Sequence, residues 1–237
     1  MTWVLFLCVG LAWVKKDDMK TDSKLQAIYI PAKEKSQGKS PVIIALHGVG
    51  SNEKDLAELA SSLDPRFAVL SLRAPLVMGP ESFAWFQVRF TAEGPLHNRE
   101  EAESSRLLLK DFIHQLKSHP EVDSRKIVLL GFSQGTIMSL SLGFTEPELI
   151  RGMVAIGGRT LQEVSQGVVP DGTVTSTPRV LLMHGLHDNK LPLFHAEATA
   201  ETLKKAGFAF NFKTYNAGHE ISPEMRDDIS EWLKSNF

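Results

Sequence analysis

From residue 24 onward the chain alternates short apolar runs with longer stretches in which apolar positions recur every three or four residues. The runs at 25–30, 41–46, 67–72, 126–130, 152–156, 179–183 and 210–215 read as strands. Those spelling VIIAL, IVLL and VLLM are apolar throughout instead of alternating, as strands covered on both faces should be. The stretches at 53–62, 99–118, 134–144, 195–206 and 223–234 read as amphipathic helices. Strand and helix in alternation predict an α/β architecture, a mostly parallel central sheet flanked by helices on both faces. In such sheets the ligand crevice lies beyond the carboxyl ends of the strands. A residue directly after a strand is therefore a site candidate before its chemistry is considered.

Composition narrows this picture. At 237 residues, 43% hydrophobic and 23% charged, the chain can bury one large core and is too apolar to stay disordered. With 26 basic against 28 acidic side chains it has no polycationic face for a phosphate backbone, which argues against a nucleic-acid partner. The single cysteine, Cys8, excludes an internal disulfide.

Residues 1–20 stand apart from a domain expected over 21–237. Residues 3–14 are almost unbroken apolar sequence followed by the charged stretch 15–20. Such a run of about 12 residues is too short to cross a bilayer, which needs about 20. Its lysines lie behind the apolar run, whereas a secretory signal carries them ahead. Three readings stay open: an element docking on the domain or across a homodimer, a degenerate signal, or a membrane-surface anchor through residues 1–14. The location, cytoplasmic, exported or membrane-associated, stays open with them.

Chemistry concentrates at strand ends. Gly131-Phe132-Ser133-Gln134-Gly135 matches GxSxG and stands between the strand KIVLL and a helix, the setting in which a serine is held exposed on a strained turn. The helix behind it directs its positive end at charge developing on a substrate. His47-Gly48-Val49-Gly50, after VIIAL, offers the second loop that an oxyanion needs, with the backbone N–H groups of Val49 and Gln134 as donors. Among eight histidines, His219 follows the last strand and precedes the last helix, placing it as the base. Asp188, after VLLM, is the carboxylate to orient it. The resulting chain order Ser, Asp, His is one of three known for this constellation. His187 beside Asp188 raises a metal-binding alternative, weakened by the lack of a third ligand cluster. His47 and His184 read as hydrogen-bonded loop formers, and His97, His114, His119 and His195 as exposed.

Taken together, LHGVGSNEKDL, SFAWFQ, GFSQG, HGLHDNKLP and YNAGHEISPE resemble the phospholipase/carboxylesterase family, over roughly residues 40–237. The resemblance implies a small α/β-hydrolase with little or no cap domain, no cofactor, and a small-molecule ester or thioester of short to medium acyl length as substrate. It matches Ser133, Asp188 and His219 to the family triad, Val49 and Gln134 to its oxyanion amides, and Trp85 to a tryptophan lining its pocket. Thr136, where relatives often carry another glycine, and the N-terminal segment depart from the family pattern. The pocket walls are expected from 73–96, with Trp85, Phe86, Phe90, Leu76, Val77 and Met78, and from 157–178, neither of which reads as regular structure. A carboxylesterase with a shallow apolar groove is the expectation. An acyl-protein thioesterase or lysophospholipase, and a non-catalytic ligand-binding protein of the same fold, are the alternatives.

Overall fold

The computed structural model describes residues 24–34, 38–91, 94–167 and 177–237. The N-terminal segment, the Phe90 side chain and much of the loop 157–178 lie outside the described residues, with the expectations placed on them. Strands β1 (Ala27–Ile30) and β2 (Ser40–Leu46) precede helix α1 (Ala57–Leu63) and strand β3 (Ala68–Leu72). Two hairpins follow, β4 (Leu76–Gly79) with β5 (Ser82–Ala84), and β6 (Val88–Thr91) with β7 (Gly94–His97). Next come α2 (Arg99–Lys117), β8 (Val122–Phe132), α3 (Gln134–Thr145), β9 (Gly152–Ile156) and α4 (Gln162–Gly167). The chain ends with β10 (Arg179–Gly185), α5 (Phe194–Lys205), β11 (Phe210–Tyr215) and α6 (Pro223–Asn236).

Seven strands form one sheet in the order β1-β3-β2-β8-β9-β10-β11. All neighbours run parallel except β1, which pairs antiparallel with β3. Successive residues of β2 explain why its sequence is apolar without alternation. Val42, Ile44 and Leu46 face a core shared with Leu109 and Phe112 of α2, Met138 of α3 and Leu203 of α5. Ile43 and Ala45 face the opposite core, with Ala60 of α1 and Met225, Ile229 and Trp232 of α6. Each face thus buries its own set of large side chains, worth about 1.5–3 kcal/mol apiece. Helix α2 starts where Asn98 Oδ1 accepts the N–H groups of Glu100 and Glu101, and it carries acidic residues in its first turn and basic ones in its last.

The structure differs from the sequence pattern in several places, β8 among them, which begins at Val122 and not at 126. Helix α1 begins at Ala57, not 53, because Asn52 accepts the Lys54 N–H on its side chain and the Asp55 N–H on its carbonyl, so a turn occupies the start. The segment expected to be irregular after β3 is two hairpins, and part of the loop after β9 is α4. Hairpin strands of three or four residues are too short to display a period of two. Glu81, at φ 54°, makes the turn of the first hairpin. Among the described residues no separate cap domain is inserted, and no helix is long and apolar enough to cross a membrane.

Leu129, at the centre of β8, is fully buried. Leu129→Ala is expected to lower unfolding stability by about 2–5 kcal/mol. Urea denaturation followed by circular dichroism measures it; a loss below about 1 kcal/mol would mean that the site collapses around the missing side chain.

Candidate active site

The turn from β8 into α3 holds Ser133 at φ 53° and ψ −116°, one of two described non-glycine residues with positive φ. Its glycines are required by space. A Cβ at Gly131 would come within 2.6 Å of the Gly135 backbone, and one at Gly135 would overlap the Leu46 carbonyl at the end of β2. Thr136 locks the turn to the neighbouring strand: its hydroxyl accepts the Ile156 N–H at 2.8 Å and lies 2.7 Å from the carbonyl oxygens of Gly131 and Ile156. The Ser133 N–H donates to the same Ile156 carbonyl at 2.9 Å.

Asp188 and His219 are brought together by two loops that extend the pairing of β10 with β11. The Leu186 N–H donates to Tyr215 O and the His187 N–H to Ala217 O. Gly185 permits this approach, since a Cβ there would collide with the Gly218 and Ala217 carbonyls. The Asp188 side chain is inaccessible to solvent. Its Oδ1 accepts the N–H groups of Lys190 and Leu191, both at 2.9 Å, and its Oδ2 lies 2.6 Å from His219 Nδ1. Burial pushes this carboxyl up, but the Leu191 amide, the His219 ring and the Lys190 amide outweigh it and hold the group below its usual value. An ionised carboxylate only accepts, so the neutral His219 ring carries its proton on Nδ1. Nε2 is left to accept from Ser133 Oγ, 2.9 Å away. Phe132 packs against the His219 ring, centroids 5.0 Å apart.

The loop after β2 runs beside the serine. A Cβ on Gly48 would sit 3.3 Å from that of Ser133. The Val49 and Gln134 N–H groups have no acceptor among the described residues, and the latter is one of the free donors that every helix start leaves. His47, fully buried, governs this loop. Its Nε2 accepts the Ala74 N–H at 3.0 Å, so the proton of the neutral ring is on Nδ1, which donates to Gly48 O at 2.7 Å. In a planar trans peptide C=O and N–H point in opposite directions. Drawing the Gly48 carbonyl onto the ring therefore turns the Val49 N–H away from it and leaves it unspent. Burial, outweighing the Gly48 carbonyl and the nearby Asp55 and Glu53, lowers the proton affinity of His47.

Trp85 and Phe86 occupy the core, at 0% and 1% exposure. The Trp85 indole N–H donates to His47 O at 3.0 Å. The Gln134 side chain accepts the Trp85 N–H and donates to Phe86 O, both at 2.7 Å. As placed, these two residues hold the loop after β2 and the start of α3, and both are closed to solvent. Leu76 is partly exposed and Met78 largely so, in the first hairpin, whose Phe83 pairs with Gly50 and Ser51 of the loop after β2. The sequence reading missed the Thr136 and Gln134 side chains as organisers of the site. It placed His97 and His195 in solvent, and both are partly buried; His97 Nε2 lies 2.6 Å from Glu163 Oε1. His184 is a loop former as expected, its Nε2 donating to Leu191 O at 2.7 Å. His187 faces Asn216, at 2.8 Å, and among the described residues no cluster of three ligands is placed to hold a metal.

A family model described as phospholipase/carboxylesterase matches residues 29–237. The chain belongs to the phospholipase/carboxylesterase family. Acyl-protein thioesterase 1 of Gibberella zeae is 31% identical over 169 residues, covering 68% of this chain and 71% of that protein. Esterase YpfH of Escherichia coli is 30% identical over 173 residues, covering 70% and 69%. The solved structure of esterase PE8 superposes with a TM-score of 0.78 at 26% identity, covering 90% of this chain and all of that one. The Bacillus cereus carboxylesterase, at 23% identity and a TM-score of 0.74, shares the fold. The family's α/β-hydrolase fold and its standing as a hydrolase extend to this chain.

Two outcomes follow from this geometry. Removing the Thr136 hydroxyl by Thr136→Val strands the Ile156 N–H, and is expected to cost about 1–3 kcal/mol in a denaturant titration; no change would mean that the hydroxyl is not needed there. The second concerns acid. Burial lowers the proton affinity of both His47 and His195 on folding. As pH falls through about 6.5 the unfolded chain takes up protons that the folded chain refuses, so stability drops until the folded rings titrate. His47→Gln is expected to flatten this slope in melting curves across that range, and an unchanged slope would contradict the assignment.

Proposed function

We propose that the chain, over residues 21–237, hydrolyses carboxylic esters of short to medium acyl length through an acyl-enzyme. Ser133 is the nucleophile, His219 the base, Asp188 its orienting carboxylate, and the Val49 and Gln134 amides the oxyanion donors. The observation that carries this reading is the line of contacts from Ser133 Oγ to His219 Nε2 at 2.9 Å and from His219 Nδ1 to Asp188 Oδ2 at 2.6 Å. As Ser133 Oγ bonds to the ester carbonyl carbon, its proton passes to His219 Nε2. Asp188 stabilises the imidazolium formed. The carbonyl oxygen becomes an oxyanion against the two free N–H groups, each worth about 3–4 kcal/mol to the barrier in such sites. Collapse breaks the carbon–oxygen bond to the alcohol, which leaves with the proton from His219. Water, deprotonated by the same ring, then attacks the acyl-enzyme and releases the acid and Ser133.

An apolar groove is supported by large side chains exposed on the segments around the serine: Val49, Val77, Met78, Leu186 and Phe194. They offer an acyl chain apolar contact at about 0.8 kcal/mol per buried methylene. A thioester reading is favoured by one observation, the similarity to a protein named acyl-protein thioesterase 1. The same steps serve a thioester, with a thiol as the leaving group.

Ser133→Ala is expected to lower kcat on p-nitrophenyl butyrate by on the order of a thousandfold or more, with the fold intact by circular dichroism. Substantial residual turnover in the pure variant would reject the nucleophile. In a series of p-nitrophenyl esters, kcat/KM is expected to peak below about ten acyl carbons, given the methylene increment; a maximum beyond that length would reject the shallow groove.

A further inference from the structure

Two glycines carry the chain from β9 past the catalytic groups. At Gly157, φ 55°, an added Cβ would lie 3.6 Å from the His219 imidazole, and at Gly158 it would come within 2.9 Å of Ser133 O. The next residue is Arg159, which is therefore delivered to the carboxyl end of the sheet beside the nucleophile and base. It is partly buried. Among the described residues its guanidinium has no hydrogen bond, no ion pair and no ring beneath it, in contrast to Arg66, Arg73 and Arg106, each of which is paired with a carboxylate. The acid four residues on, Glu163, turns Oε1 to His97 Nε2 at 2.6 Å, while its Oε2 is buried without a hydrogen bond, 3.9 Å from Arg99, and forms no ion pair with the Arg159 guanidinium.

An arginine has five N–H donors in a planar fork, always charged, and partial burial without an acceptor is costly unless something supplies one. Burial disfavours the charge of Arg159, with Glu163 alone opposing. Its field also reaches His195, which lies near Asp188 and whose proton affinity is lowered first by burial and then by that charge. An unspent positive fork is thus carried by the residue that follows the two glycines packed against His219 and Ser133.

We infer that Arg159 is a specificity element that binds an ionised carboxylate carried by the substrate, on either side of the scissile ester. The inference rests on the ester-hydrolase reading above and names the substrate class within it. A carboxylate presents two oxygens to the guanidinium fork, which favours a bidentate, charge-assisted pair.

Three esters test it: neutral p-nitrophenyl butyrate, mono-p-nitrophenyl glutarate with the carboxylate on the acyl side, and 4-carboxyphenyl butyrate with it on the alcohol side. The quantity read is kcat/KM of each anionic ester divided by that of the neutral one, which cancels any loss of folded protein. In Arg159→Gln this ratio is expected to fall about tenfold or more for at least one anionic ester, and the one affected names the side. Arg159→Lys keeps a point charge without the fork and is expected to retain part of the ratio. Added salt is expected to lower the ratio in the unaltered protein and to leave it flat in the Gln variant. Ratios for both anionic esters that are unchanged in Arg159→Gln overturn the inference while the hydrolase reading stands. No turnover of any of the three by the unaltered protein overturns the hydrolase reading, and this inference with it.

Discussion

At Ser133 the backbone sits at φ 53°, a conformation that costs a non-glycine residue about 1–3 kcal/mol and persists only where its surroundings over-determine it. Here they do so from both neighbouring strands. The chain at Gly131 and Gly135 fits only because neither carries a Cβ, and the Gly135 contact is with the end of β2. The Ser133 N–H and the Thr136 hydroxyl both bond to Ile156 on β9. The serine is thus held by the two strands that flank β8, so the geometry of the whole central sheet bears on one hydroxyl.

The order of the sheet accounts for the remaining groups. Because β2, β8, β9, β10 and β11 lie side by side and parallel, everything that follows them emerges at one end. The loop 47–50 leaves β2 directly beside the serine, while Asp188 and His219 leave the adjacent pair β10 and β11. The hydrogen bonds that continue this last pairing, from Leu186 and His187 to Tyr215 and Ala217, set the distance between carboxylate and imidazole. His47, Trp85 and Gln134 form a chain of side-chain-to-backbone hydrogen bonds that ties the loop after β2 to the start of α3. A buried network of this kind is rigid when every member is satisfied, and rigidity is what preorganised donors require.

The sheet, and the candidates Ser133, Asp188 and His219 that the structure brings into one line of contacts, were legible in the sequence for a physical reason: strands buried on both faces are apolar without interruption, and these candidates sit just after them. Ser133 was marked by the GxSxG pattern at a strand end, and position after a strand singled out Asp188 and His219. What could not be read are contacts between backbone and side chains far apart in the chain. Thr136 bonds to Ile156 across 20 positions and Gln134 to Trp85 across 49, and neither leaves a local pattern. His97 looked like a solvated loop residue because Glu163, its partner, lies 66 residues away. Trp85 and Phe86 were visible as aromatics near a strand end, but their burial depends on the hairpins around them, whose strands are too short to show a period. Arg159 gave no signal at all until the structure showed it without a partner beside the serine.

The central claim is that His219, oriented by Asp188, makes the hydroxyl of Ser133 reactive. The most direct measurement is the rate and position of covalent labelling by a fluorophosphonate, read by peptide mass spectrometry on the unaltered protein and on His219→Ala. The account predicts a single adduct, on Ser133, formed rapidly in the first and slowed by orders of magnitude in the second. An adduct on another residue, or labelling of Ser133 at equal rates with and without the imidazole, would contradict it.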